Sequence, residues 1–178
     1  MDRKLLHQIV KESIASKLFK RDFNYEKYEQ DPALQEPVAT FVTLQKDGQL
    51  RGCIGSLIAT RSLLHDLVSN AQAAAFNDPR FMPLDAKEYE QIFIEVSLLT
   101  QPKELQYSDS KDLKQKIEPF KDGVILQLGS AKATFLPSVW EQLPTFELFF
   151  SHLCQKAQLG SECLHKHPQI FTYEAIKY

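Results

Sequence analysis

Residues 47–56 read Asp-Gly-Gln-Leu-Arg-Gly-Cys-Ile-Gly-Ser, and this stretch decides the fold. Its Asp-Gly pair follows a run of β-branched and aromatic residues at 38–46 and precedes a second apolar-rich run. Asp-Gly between two such runs is a strong hairpin signal, because glycine adopts the positive φ that a tight turn needs. The sequence therefore predicts an antiparallel hairpin whose second arm contains residues 51–53.

Outward from this hairpin, the sequence predicts helices and further antiparallel strands. Leu6, Val10 and Ile14 recur every four residues, which predicts an amphipathic helix with Asp2 as its N-cap. The predicted elements are helices at 2–20, 60–77, 109–118 and 145–159, a central strand at 91–100, a second hairpin at 123–128 and 131–136, and a last strand within 169–177. This order lacks a βαβ rhythm, so it favours an α+β fold with a mostly antiparallel sheet and flanking helices.

The composition limits the class of protein. The chain has 178 residues, of which 43% are hydrophobic, enough to fold. Its 21 Lys and Arg against 23 Asp and Glu leave no large basic patch for nucleic acid. Since no apolar run is long enough to cross a bilayer, no membrane association is expected and the predicted location is cytoplasmic. Three scattered cysteines are expected to remain thiols there.

Cys53 is the first candidate for chemistry. In an extended strand it shares a face with Arg51, and a guanidinium near a thiol favours the reactive thiolate. Gly52 and Gly55 flank it, and glycine within a strand indicates a bulge or a close approach by backbone or ligand. Two interpretations stay open, a reachable nucleophile or a small buried side chain beside tightly packed glycines.

Glu95 is the second candidate, because it lies in the middle of an apolar strand. A buried carboxylate needs a partner, and we expect Arg51 or Arg80 to supply it. Such an ion pair could be structural or could line a ligand pocket.

The segment from Asp78 to Phe81 is the third candidate. Pro79 ends the preceding helix and stiffens a loop that carries Asp78 and Arg80. The alternative is a helix stop with an Asp–Arg pair at the surface.

Metal and nucleotide sites receive little support from the sequence. The set Cys163, His165 and His167, even with Cys154, fits no common zinc spacing. No phosphate-binding or dinucleotide-binding glycine pattern is present. We therefore predict no cofactor and no metal.

Several of these stretches together resemble one family, the AMMECR domain, named after a critical-region protein of the human AMME syndrome. Its bacterial members are called AmmeMemoRadiSam system protein A. The resemblance runs in order from about residue 37 to residue 159 and is carried by 41–44, 50–56, 73–81, 94–99, 133–140 and 153–157.

The resemblance implies a single AMMECR-type domain over residues 1–178, with two interleaved subdomains, or lobes, that meet at a cleft. It also implies association with a Memo-type protein and a radical-SAM protein. Carried over residue by residue, the positions that match the family's strongest ones are Arg51, Gly52, Cys53, Gly55, Asp78, Arg80 and Glu95.

Two functions follow as hypotheses, and whether the protein is an enzyme stays open. In the first, it is a ligand-binding or accessory component whose cleft is lined by Arg51, Cys53, Arg80 and Glu95, with a small anionic ligand as one candidate occupant. In the second, it is an enzyme with Cys53 as nucleophile and Glu95 as acid/base, although no histidine is placed to activate the thiol.

Overall fold

A computed structural model describes residues 1–178 of the chain. Its helices and strands, in chain order, are α1 (Arg3–Leu18), α2 (Pro32–Gln35), β1 (Thr40–Lys46), β2 (Gln49–Gly55), α3 (Leu63–Phe76), α4 (Ala86–Tyr89), β3 (Phe93–Leu99), β4 (Lys103–Glu104), α5 (Ser110–Lys116), β5 (Gly123–Leu128), β6 (Ala131–Phe135), α6 (Phe146–Lys156), β7 (Gln169–Tyr173) and β8 (Ala175–Lys177). Two short 3₁₀ helices lie at Pro137–Glu141 and Cys163–Lys166.

The chain divides into two compact units. Unit 1 comprises Met1–Leu99 together with Ile176–Tyr178, and unit 2 comprises Thr100–Ala175. Each unit has one four-stranded sheet, in the order β2-β1-β3-β8 in unit 1 and β4-β7-β5-β6 in unit 2. The predicted α+β class with mostly antiparallel strands and flanking helices is thereby confirmed. A cleft between two lobes stays a prediction.

In unit 1, α1 and α3 cover one face of the sheet. Strand β1 alternates, with Val42 and Leu44 fully buried on the helix side and Thr43 half-buried on the other. Leu6 of α1 and Leu64 of α3 belong to the same apolar core. Because the helices take the apolar side, the polar side chains of the strands are left on the opposite face.

A buried polar network holds the end of β2 to α3. The carboxylate of Asp66, fully buried, accepts the Thr40 N–H at 2.8 Å, the Ser56 hydroxyl at 2.7 Å and Nη2 of Arg61 at 2.8 Å. The Asn70 amide donates to the same carboxylate at 2.9 Å. A buried carboxylate needs such donors, so this network fixes the end of β2. We call residues 50–56, most of which lie in β2, the signature segment, or simply the signature.

Unit 2 packs its sheet against α5, α6 and the first 3₁₀ helix. Trp140 and Phe149, both fully buried, stack with ring centroids 3.7 Å apart. The Trp140 indole donates to the Asp122 carbonyl oxygen at 2.8 Å, so the polar group of this buried ring is satisfied.

The prediction that all three cysteines remain thiols is wrong for two of them. Cys154 of α6 and Cys163 form a disulfide, and both are fully buried. Cys53 is the only free cysteine. Between the two cysteines the chain leaves α6 at Lys156 and passes Gln158 and Gly160, which have φ +60° and +79°, and the sequence offers no signal for a pairing across so short a loop.

Most predicted elements are present, with shifts at their ends. Asp2 caps α1 as predicted, Thr145 caps α6, and the Asp-Gly hairpin joins β1 and β2. The last predicted strand is instead two strands, β7 and β8, which belong to different sheets. No helix has the length and apolar character needed to cross a membrane.

Candidate functional site

Arg51 occupies an irregularity in β2. The pairing of β1 with β2 shifts at this point, so that Leu44 faces Gly52, Gln45 faces Leu50, and Arg51 has no partner residue. An extra residue in one strand is a β-bulge, which redirects a side chain. The Arg51 side chain, only 11% exposed, reaches Glu88 of α4.

On α4, Arg51 forms a bidentate ion pair with Glu88. Its Nε donates to Oε1 at 3.0 Å and its Nη2 donates to Oε2 at 2.6 Å and to the Met82 carbonyl oxygen at 2.8 Å. Lys46 lies 3.3 Å from the same carboxylate. The hydrogen bonds from Arg51 lower the pKa of Glu88 to about 2, so this carboxylate is ionised at neutral pH.

The remaining guanidinium nitrogen of Arg51, Nη1, is buried and has no hydrogen-bond partner. It is the only buried side-chain nitrogen or oxygen of the chain in this condition. Buried polar groups in folded proteins are nearly always paired, and an unpaired charged donor costs on the order of 1–3 kcal/mol or more. Nη1 is therefore the one buried polar side-chain atom for which the chain itself supplies no acceptor.

Asp78 and Arg80 form a second ion pair, which holds the main chain of Cys53. The Asp78 carboxylate, with its side chain 1% exposed, accepts Nη2 of Arg80 at 2.7 Å and the Cys53 N–H at 2.9 Å. Arg80 Nη2 also donates to the Cys53 carbonyl oxygen at 3.3 Å. Strand β2 is the edge of its sheet, so this pair covers an otherwise unpaired edge at one residue.

The predicted alternative of a surface Asp–Arg pair is wrong, because Asp78 is buried. The hydrogen bonds from the Arg80 guanidinium, followed by those from the main chain, hold the pKa of Asp78 well below its ordinary value of 3.8. Each of its two oxygens accepts two hydrogen bonds, Oδ1 from the N–H and Nε of Arg80 and Oδ2 from the Cys53 N–H and Nη2 of Arg80, so it is not a free base.

Phe81 brings the two arginines to one place. The Cζ atoms of Arg51 and Arg80 lie 5.7 Å and 5.5 Å from the centre of its ring, within the range of cation–π attraction. We call the set Arg51, Phe81 and Arg80 the arginine–phenylalanine cluster.

The thiol of Cys53 is half-buried and receives a hydrogen bond from the Thr43 hydroxyl at 3.3 Å. The expected guanidinium neighbour, Arg51, is committed to Glu88, and the cation bonded to the Cys53 peptide is Arg80. The nearest histidine in sequence, His65, stacks on the ring of Tyr25. No general base contacts the thiol.

The expectation that Arg51 or Arg80 pairs with Glu95 is wrong. Its partner is Lys177 of β8, at 3.3 Å. In the sheet, Thr43 faces Cys53 on one side and Glu95 on the other, so Glu95 lies two strands from Cys53, roughly 10 Å away. The two residues assigned to catalysis are on one sheet face but not in contact.

The two glycines of the signature are explained by close packing within the protein. A Cβ at Gly52 would overlap the carbonyl oxygen of Ala74 in α3, and a Cβ at Gly55 would overlap the ring of Phe41. The space beside each glycine is filled by the protein itself, so neither glycine opens onto a ligand.

Sequence reasoning missed Glu88, Thr43 and Lys177 as members of this site. Glu88 follows the helix cap Asp85 by three residues, a spacing typical of a first helical turn, but nothing in the sequence connects it with Arg51. Thr43 was not predictable either, because the regular register of the Asp-Gly hairpin places Val42 opposite Cys53, and only the irregularity at Arg51 brings Thr43 there.

The comparisons with known proteins agree with this fold. The AMMECR1 family matches residues 7–178. The chain belongs to the AMMECR1 family. The resemblance stated from the sequence is thereby confirmed.

Archaeal relatives of this AMMECR1-family chain carry names without a stated function. Protein LS215_2104 of Saccharolobus islandicus is 37% identical over 164 residues, covering 84% of this chain and 70% of that protein. A protein of Methanosarcina acetivorans is 34% identical over 144 residues, covering 80% and 72%. The crystal structure of uncharacterized protein PH0010 from Pyrococcus horikoshii is similar with a TM-score of 0.81 at 27% identity, covering 97% and 88% of the two chains.

Proposed function

We propose that this AMMECR1-family protein is a ligand-binding or accessory component that recognises an anionic group at the arginine–phenylalanine cluster of unit 1. The observation that carries the proposal is the buried, unpaired Nη1 of Arg51. A carboxylate or phosphate oxygen is the acceptor that best matches a guanidinium.

Arg80 supplies a second donor to the same ligand. Its side chain is 53% exposed, although Nε and Nη2 donate to Asp78. The Nη1 atom is left for solvent or a ligand. Because Glu88 and Asp78 already fix the orientation of the two guanidinium groups, little side-chain entropy is lost when an anion binds.

Exposed apolar side chains beside the cluster support a protein partner as the source of that anionic group. Met82 is 81% exposed, and Leu50 and Phe93 are 44% and 54% exposed. Leu50 of β2 and Phe93 of β3 are both paired with Gln45 of β1, so they lie on either side of Gln45 in the sheet. Apolar side chains next to a charged anchor are typical of interaction surfaces.

In this proposal the Memo-type and radical-SAM proteins are the partners, and the complex acts in the cytoplasm. The buried disulfide of unit 2 is compatible with that location, because both sulfur atoms are shielded from attacking thiols.

The anion site is tested by titrating inorganic phosphate and succinate and following the side-chain N–H resonances of Arg51 by NMR. We expect saturable shifts of the Arg51 signals, and at least tenfold weaker binding in Arg51→Lys, which keeps the charge but loses the forked donors. Arg3→Lys, on the surface of α1, is the matched control. Equal binding by both variants contradicts the proposal.

The partner assignment is tested separately by mixing the purified protein with a Memo-type protein and a radical-SAM protein and measuring complex formation by size exclusion. Met82→Gln, at a side chain that is 81% exposed, should weaken the complex without adding a charge, and should therefore leave phosphate binding intact. If the wild type forms no complex, the assignment of these two partners is wrong. The proposed anion site is then still judged by the phosphate and succinate titration.

A cysteine-dependent enzyme is the second candidate, favoured by one observation. Cys53 is the only free cysteine and is partly exposed beside Arg80. Iodoacetamide labelling across a pH series tests it, since one reactive site gives one mass increment. Rapid labelling at a pH well below about 8.5 favours catalysis, whereas a thiol that reacts only after unfolding excludes the nucleophile.

A further inference from the structure

Phe120, in the turn between α5 and β5, is a residue of unit 2 that the fold of this unit does not explain. Its backbone has φ +67°, and it is the only hydrophobic residue among the non-glycine residues with positive φ. A bulky side chain in this region of backbone space is an outlier, and strain of this kind concentrates at functional sites. The side chain is also 60% exposed. Phenylalanine at this position therefore costs both backbone strain and exposed apolar surface.

The turn that carries Phe120 is held by hydrogen bonds on both sides of it. The Asp122 carboxylate accepts the Glu118 N–H at 2.8 Å, and the Glu118 carbonyl oxygen accepts the Asp122 N–H at 2.9 Å. The carbonyl oxygen of Asp122 also accepts the indole N–H of the buried Trp140. Because the backbone around Phe120 is fixed, little conformational entropy is lost when its ring is bound.

A hollow of about 320 Å³ lies directly beside this turn. Its apolar lining consists of Ile117, Pro119, Pro144 and Phe146, and Phe120 is not one of the lining residues. The volume is at the low end of the range for binding sites, roughly 300–1,000 Å³, so the hollow suits one large side chain. Proline and phenylalanine rings offer flat apolar faces, against which an aromatic ring packs well.

The exposed ring and the hollow are neighbours on the surface of unit 2, since Pro119 lines the hollow and Phe120 follows it in the chain. A patch that carries both halves of a contact can pair with itself about a two-fold axis, because each copy then supplies one ring and one hollow. The two contacts are equivalent, so the assembly closes as a dimer.

The charged groups around this patch are compatible with such pairing. Lys114 and Glu147 lie at the hollow and form an ion pair at 2.6 Å, and Glu118 and Lys121 flank Phe120 and form another at 3.0 Å. All four side chains are at least 48% exposed. Two-fold pairing that sets Lys121 against Glu147 of the second copy also sets Glu118 against its Lys114, so opposite charges meet in both places.

From these observations we infer that Phe120 and the hollow beside it form a self-association surface, in which the Phe120 ring of each copy occupies the hollow of the other. Each aromatic side chain buries roughly 150–250 Å², which leaves the interface below the standard size of roughly 1,600 Å². The dimer is therefore weak and forms at high protein concentration. The inference does not depend on the function proposed for unit 1, because no residue is shared between the two surfaces.

Sedimentation equilibrium from about 10 µM to about 1 mM protein tests the inference, because a small interface corresponds to a dissociation constant of roughly 0.1 mM. We expect the average mass of the wild type to rise from that of the monomer towards that of the dimer. Phe120→Asn should weaken the association by about tenfold or more, as for the loss of a central aromatic anchor. Ile58→Asn, at a side chain of unit 1 that is 58% exposed, is the matched control and should leave the association unchanged.

The stability of Phe120→Asn separates association from folding. Asparagine adopts a positive φ more readily than phenylalanine does, so this variant should unfold at a higher urea concentration than the wild type. The comparison is made at about 10 µM, where the monomer predominates. We therefore expect one substitution to stabilise the monomer and to abolish the dimer.

Exchange of charges tests the two-fold arrangement. Lys121→Glu and Glu147→Lys each set like charges against one another when the variant pairs with itself, so each variant alone should associate more weakly than the wild type. An equimolar mixture of the two restores opposite charges at both contacts and should associate as the wild type does. A mixture that associates no better than the separate variants overturns this arrangement.

Four further results would overturn the inference. The first is a monomer throughout the concentration series, and the second is association of Phe120→Asn equal to that of the wild type, which places the interface elsewhere. The third is growth of the mass beyond the dimer, which shows that the ring and the hollow do not close on each other. The fourth is a loss of stability in Phe120→Asn, which shows that the ring is held by packing within its own chain.

Discussion

The carboxylate of Asp78 accepts the main-chain N–H of Cys53 at 2.9 Å, across 25 positions of sequence. The same carboxylate binds Arg80, whose Nη2 reaches the carbonyl oxygen of Cys53. Both outward-facing main-chain groups of one edge-strand residue are therefore satisfied by a single ion pair. The first role of Asp78 is therefore to hold β2, the strand that carries the signature, by its main chain.

This relationship predicts the effect of Asp78→Asn on stability. The amide cannot accept all of the donors that the carboxylate binds, and it removes the ion pair with Arg80. We expect unfolding free energy to fall by roughly 1.5–3 kcal/mol, the range for hydrogen bonds to a buried charged group. The partial exposure of Arg80 keeps the loss below that of a fully buried pair.

Urea unfolding measures this change, with Glu118→Gln as the control. Glu118 pairs with Lys121 at the surface, where the side chains are 64% and 48% exposed, so its loss should cost about 0.5 kcal/mol or less. Similar losses in the two variants would mean that Asp78 does not hold β2.

Acid should weaken unit 1 through Glu88 and Asp78. Both folded-state pKa values lie below the ordinary values of 4.5 and 3.8, because hydrogen bonds from Arg51 and from Arg80, respectively, favour the ionised forms. The unfolded chain therefore binds more protons on acidification. The stabilisation is complete above about pH 5 and is lost as the pH falls towards 2.

Glu88→Gln tests this linkage. The difference in unfolding free energy between wild type and Glu88→Gln should be largest near pH 7 and should shrink steadily from pH 5 to pH 3. Glu141→Gln serves as the control, because Glu141 forms no ion pair and its curve should run parallel to that of the wild type. Parallel curves for Glu88→Gln as well would show that its carboxylate is not stabilised by folding.

The fold was predictable where local signals decide it. The Asp-Gly turn joins β1 to β2 and pairs Lys46 with Gln49, and four-residue apolar spacing sets α1. The pairing of charges was not predictable, since Arg51 meets Glu88 across 37 positions and lies at a β-bulge that no local signal indicates. Glu95 likewise meets Lys177, because the chain returns at its end to add β8.

Alanine substitution at the two glycines of the signature, Gly52 and Gly55, should lower the free energy of unfolding by different amounts. Gly52→Ala would place its methyl group on the carbonyl oxygen of Ala74, which is helix backbone and cannot move without displacing α3. Gly55→Ala would meet the ring of Phe41, a side chain that can rotate. We expect losses of about 3 kcal/mol or more for the first and about 1–2 kcal/mol for the second.

Thermal unfolding of both variants checks this order, with Gly129→Asn as the reference. Gly129 lies in a turn with φ +58° and open space around it, and asparagine tolerates that conformation. A reversed order, with Gly55→Ala the less stable, would show that Phe41 is fixed and that the approach of α3 to β2 is adjustable.

Removal of the disulfide should destabilise unit 2. Cys154 and Cys163 are nine positions apart, and closing a loop of this length is worth roughly 2–3 kcal/mol in the chain-entropy account. Cys163→Ala should lower the unfolding free energy by about that amount and speed amide hydrogen exchange in the loop at 161–167.

Cys53→Ala, which removes only a half-buried thiol, should cost about 1 kcal/mol or less and leave that exchange unchanged. Cys154→Ala should reproduce the Cys163→Ala exchange pattern, because it removes the same bond. Unchanged exchange in both variants would mean that the loop is held by the stacking of His167 on Tyr107 rather than by the disulfide.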